Sequence, residues 1–146
     1  MFQNSVTNVA NVATTIDGIE HLTGSNFPVW KDKINMVLGV LDLDYALRFD
    51  EPVAPTSEEE NYAEKKKIYD TNSERWERSN RMSLMIMRST ILVGIRGAIP
   101  ESEKAKKYLA SVEEHFKGSS KVYASTLIQK LLNTNTMGQA SKSTLW

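Results

Sequence analysis

The chain has no cysteine, which excludes disulfides, a thiol nucleophile and every cysteine-ligated zinc site. It has no excess charge of either sign, with 18 Lys plus Arg against 18 Asp plus Glu. No overall field therefore draws it to nucleic acid or an anionic membrane, and a nucleic-acid role would need a local patch. It lacks any run approaching the roughly 18 apolar residues of a membrane span. Its opening "MFQNSVTNVANVATTIDG" has neither the basic n-region nor the continuous apolar h-region of a secretory signal. A soluble, cytoplasmic protein with no membrane partner is the expectation. A core, by contrast, is well supplied: 40% hydrophobic and 25% charged residues is ordinary globular usage. The 146 residues make about one domain.

Helical periodicity dominates the chain, and no segment shows strand alternation bounded by hairpin turns. Residues 1–18 lack either period and read as a flexible arm. Residues 19–134 read as the folded domain, and 135–146, polar and turn-forming, as an irregular tail. Within the domain, Asn26 is a candidate N-cap and Pro28 suits the first turn of a helix. Phe27, Trp30, Ile34, Val37, Leu38 and Leu41 line one face of that helix, with Lys31, Asp32, Lys33 and Asn35 opposite. Asp42 is placed to cap a short further turn that buries Leu43, Ala46 and Leu47. "FDEPVAPTSEEEN" is then a proline-broken connector.

Ser57 and Glu60 have the spacing of a capping box and predict the start of a long helix there. That helix, whole or bent near "DTNS", carries Tyr69, Trp76, Leu84, Met87, Ile91 and Ile95 on its core face and stops at Pro100. A third helix holds Ala105, Tyr108, Leu109, Val112 and Phe116. A fourth, capped by Ser119 or Ser120, holds Tyr123, Ala124, Leu127, Ile128, Leu131 and Leu132. The prediction is an all-α bundle of four to five helices.

Catalytic patterns are absent. His21 and His115 have no ligand-spaced partner, HExxH does not occur, and "GIRG" lacks the Lys-Ser/Thr of a phosphate loop. Asp42 and Asp44 read as a cap and a solvated charge, not as an acid-base pair. Lys65, Lys66 and Lys67 follow Glu58 to Glu60 and Glu64, so they read as a solvated, self-paired face. Arg75, Arg78, Arg81 and Arg88 are less well neutralised and recur beside Trp76, which makes them the candidate RNA contacts. No catalytic residue, cofactor or metal is expected, and the chain reads as non-enzymatic.

"LTGSNFPVWKDKINMVLGVLDLDYAL", "WERSNRMSLMIMRSTILVGIRGAIP" and "AKKYLASVEEHFKGSSKVYASTLIQKLLNT" follow one another in order. Together they resemble the N-terminal Gag region of copia-type LTR retrotransposons of the plant type. The likeness covers about residues 19–134. It includes the Leu-x-Gly-x-Asn-Phe start with Trp30, the Trp76 and Ser79-Asn80-Arg81 segment, and Glu114-x-Phe116. The resemblance implies a helical, capsid-like domain that self-associates around the element's RNA and catalyses nothing. In that family further helices follow the fourth, and a CCHC zinc knuckle commonly binds RNA. Here "NTNTMGQASKSTLW" stands in place of the continuation and no cysteine is present, which implies a truncated or relic copy with weak RNA binding. The expected partners are the chain itself or intact Gag.

"MSLMIM" with "STILVGI" is too apolar all round for a helix covered on one face only. Two packed helices or a second subunit must cover it. Met82, Met85, Ile86 and Ser89 lie off the main stripe and are the candidate self-association residues.

Overall fold

A computed structural model of the chain describes residues 11–117 and 128–133. The fold is all-α. Helix α1 covers 11–17 within the stretch expected to be an arm. It is closed by the Gly18 amide donating to the Thr14 carbonyl at 3.1 Å. Ile19 and Leu22 behind it are buried. The Leu22 amide donates to the Thr90 carbonyl at 2.7 Å, and the Leu92 amide to the Leu22 carbonyl at 3.2 Å, so the N-terminal segment docks at one isolated parallel bridge between Leu22 and Ile91.

Asn26 does stand at the N-cap of α2 (Phe27–Val40), but its side chain makes no capping bond. Its Oδ1 instead accepts from the Thr23 amide (2.9 Å) and hydroxyl (3.2 Å), and its Nδ2 donates to the His21 carbonyl at 2.9 Å. These bonds tie a turn in which Gly24 takes φ 107°, a backbone state that side chains resist. With Pro28 in the first turn, α2 buries Trp30, Ile34, Val37 and Leu38.

Asp42 is not the cap of the following helix. It takes φ 55° and ends α2. The Asp42 amide donates to the Gly39 carbonyl at 3.1 Å and the Leu43 amide to the Leu38 carbonyl at 2.8 Å. This pair of bonds, with Leu38 and Leu43 both buried, is a Schellman closure. Asp44 is the N-cap of the four-residue α3 (Tyr45–Arg48).

Ser57 and Glu60 do not begin the long helix. They lie in a turn in which the Glu59 amide donates to the Thr56 carbonyl at 3.0 Å, and the helix starts only after Asn61, held at φ 56°. Asparagine tolerates that left-handed state better than most residues, which fixes where the chain turns. Helix α4 (Tyr62–Ser89) then runs 28 residues without a break at "DTNS". It stops at Thr90, ten positions before Pro100, because the backbone there pairs with Leu22. The short α5 (Val93–Arg96) follows.

Helix α6 covers 105–117 and buries Ala105, Tyr108, Val112 and Phe116 at the spacing the sequence shows. Residues 128–133 form α7, within the expected fourth helix, with Ile128, Leu131 and Leu132 exposed. Ser119, Ser120, Tyr123, Ala124, Leu127 and the tail lie outside the described residues. Chain packing separates into two units, Met1–Val112 and Glu113–Trp146. Of the buried hydrophobic residues described, all but Phe116 lie in the first, and no β-strand occurs among the described residues.

Candidate functional site

The buried side of α4 is built around hydroxyl and amide groups that reach neighbouring elements. Ser79 Oγ accepts the Ala46 amide at 2.8 Å and donates to the Leu43 carbonyl at 2.5 Å, while Ser83 Oγ donates to the same carbonyl at 2.7 Å. One turn of α4 thus clamps the start of α3. Asn80 serves the opposite flank: its Nδ2 donates to the Glu103 carbonyl and its Oδ1 accepts the Ala105 amide, each at 2.7 Å. An orphan donor at the N-terminus of α6 is satisfied by a side chain from another helix. At the end of α4, Thr90 Oγ1 accepts from Trp30 Nε1 at 3.0 Å and shares its hydrogen between the Ile86 and Met87 carbonyls, both at 3.0 Å.

These contacts decide the fate of the methionine-rich segment. The N-terminal segment and α2 meet the end of α4, while Tyr108 of α6 stacks against Arg88 at 5.2 Å. Two-sided cover therefore comes from within the chain. Ile86, a candidate self-association residue, is only 3% exposed and is corrected to a core residue. Met82 is half-buried, and Ser89 is exposed with its hydroxyl donating to the Ile86 carbonyl at 2.9 Å. Only Met85 of the four presents a large apolar surface, at 59% exposure. The four share one side of α4 but do not form one exposed surface, because Ile86 and part of Met82 are covered by the chain's own packing.

The arginine ridge is likewise divided. Arg75 pairs with Asp42 at 3.2 Å and lies 4.4 Å over the Tyr45 ring. Arg88 donates to the Ser102 carbonyl at 2.7 Å, and Arg96 in turn donates to the Arg88 carbonyl at 3.0 Å. Arg78 and Arg81 are exposed and have no partner among the described residues. Burial raises the Tyr108 phenol above its ordinary 10.0, and the cations of Arg88 and Arg96 oppose that rise.

A groove of about 480 Å³ lies between the connector after α3 and the first turns of α6. Phe49, Val53, Trp76 and Ala110 supply its apolar surface. Trp76 is fixed by its Nε1 donating to the Phe49 carbonyl at 3.0 Å. Lys106–Asp50 (3.2 Å) and Lys104–Glu51 (3.8 Å) tie its two walls together. The groove's titratable lining is Asp50, Glu51, Lys104, Lys106 and Lys107, with no histidine, serine or tyrosine among its residues. Among the described residues no group of three or more His, Asp or Glu side chains could hold a metal ion. No helix among them is long and apolar enough to cross a membrane.

An exposed apolar stripe lies on α2. Val29, Met36 and Val40 are 64%, 58% and 77% exposed, with Lys33 between them. Their spacing of four, three and four residues makes a straight stripe, roughly a third of a turn round the helix from Trp30, Ile34 and Val37. Only Lys31, Asp32, Lys33 and Asn35 were expected on that side, because the stronger apolar period of the buried face masks this second one. Its signal was the Val29–Met36 heptad interval.

No family model, curated protein or solved structure matches this chain.

Proposed function

We propose that this chain is a non-enzymatic structural protein of the copia-type retrotransposon Gag class, acting by self-association or by co-assembly with intact Gag. Three sequence segments in register, "LTGSNFPVW", "WERSNR" and "VEEHF", support the class. The Ser79 and Asn80 of the middle one tie α3 and α6 to α4. The observation that carries the self-association reading is the apolar stripe on α2, since folded monomers seldom leave such residues aligned in water. Sedimentation velocity of the purified chain tests it. A concentration-dependent shift above the monomer is expected, and a strict monomer at high micromolar concentration would overturn the reading.

A second reading, RNA contact, now rests on Arg78 and Arg81. It predicts weak binding that falls with salt and is lost in the Arg78→Glu, Arg81→Glu double variant. An RNA titration with no binding at low salt removes it.

A further inference from the structure

We infer that α2 pairs with α2 of a second copy of this chain, antiparallel, through Val29, Lys33, Met36 and Val40. The inference rests on the self-association reading and adds its surface and geometry.

The four residues follow the alternating three-and-four spacing that keeps a seam facing a partner helix. The pattern is also symmetric about its centre. Reversing the helix sets Val29 against the partner's Val40 and Lys33 against the partner's Met36, so one two-fold axis satisfies every position. A parallel pair would instead oppose Lys33 to the partner's Lys33, two like charges in the middle of the contact. In the antiparallel pair the lysine stem covers the Met36 side chain while its ammonium stays in water. On the flank, Asp32 comes opposite the partner's Gly39. A side chain added at Gly39 would meet only Asp44 Oδ2, at 3.9 Å, so this edge is open to an approaching helix.

The contact is small. A helix of 14 residues is about 21 Å long, and it offers less than the roughly 800 Å² per partner of a standard stable interface. The expected dimer is therefore reversible, with dissociation in the high micromolar range.

The test is sedimentation of the full chain from about 1 to about 500 micromolar, beside Met36→Lys, Val29→Lys and Met85→Glu variants. Met36→Lys and Val29→Lys should each weaken dimerisation by at least about tenfold, with unchanged thermal melting, while Met85→Glu leaves it unaltered. Because the chain has no cysteine, Val29→Cys and Val40→Cys chains can be mixed under oxidation. The mixed pair should cross-link, and Val29→Cys alone should not. A dimer abolished by Met85→Glu but kept in Met36→Lys would overturn this inference and leave self-association standing. Cross-linking of Val29→Cys to itself would overturn the antiparallel geometry. A wild-type monomer throughout would overturn both.

Discussion

At the scale of single residues, buried polar groups do more of the specifying than the apolar ones around them. Thr90 is 1% exposed and joins Trp30 to the last turn of α4. Thr90→Val keeps the shape but leaves the indole N–H with no acceptor, and urea denaturation should show a loss of about 1–3 kcal/mol. Asp42 holds a left-handed backbone that closes α2. Asp42→Gly and Asp42→Ala both remove the pair with Arg75, so their difference isolates the backbone. The glycine variant should be the more stable by roughly 1–2 kcal/mol. Tyr108 gives a pH signature. Burial favours its neutral phenol, so the folded-state pKa lies above the unfolded 10.0. The stability this supplies is complete below that value and is lost as pH rises through the folded pKa. In alkaline melts the wild type should weaken above pH 10.0 more steeply than Tyr108→Phe.

Among the elements, α4 is the organiser, because its serines hold α3 and its Asn80 holds the start of α6. Asn80→Ala should cost about 1–2 kcal/mol, the range of a lost helix cap. Hydrogen exchange should localise the effect, with the Ala105 amide losing protection while the Ala46 amide, held by Ser79, keeps it. The helical periods of α2, α4 and α6 were plain in the sequence because each buries one stripe at a spacing of three and four residues. Element ends were less legible. The Ser57–Glu60 pair has the composition of a cap, yet the connector's geometry sets the start of α4 at Asn61. Likewise nothing local stops α4 at Thr90; a strand-like bond to Leu22, distant in sequence, does so. The helix covering 11–17 was hidden because those residues carry only Val12, Ala13 and Ile16 as apolar groups, too few to declare a period.

For the whole molecule, equal numbers of opposite charges leave no global field, and four ion pairs among the described residues are exposed. Lys65–Glu59, Arg75–Asp42, Lys104–Glu51 and Lys106–Asp50 all have side chains at least 43% exposed. Such pairs contribute about 0–1 kcal/mol each. Raising salt from about 0.1 to about 1 M should therefore change the melting temperature little, and a large fall would show that these pairs carry more than their exposure allows. The association proposed through the α2 stripe would be apolar and should persist at high salt, whereas the RNA contact proposed for Arg78 and Arg81 should vanish.

The sequence by itself determined the all-α class, the buried faces of α2 and α6, the Trp76, Leu84 and Met87 part of the face that α4 buries and the lack of a cysteine-based site, because periodicity and composition are local properties. Only the tertiary structure decided which apolar residues remain in water. Ile86 and Met85 are neighbours in sequence and alike in chemistry, yet one is packed and the other exposed. Val29, Met36 and Val40 emerged as a surface for the same reason: burial depends on what distant segments cover, and that is fixed only when the helices are assembled.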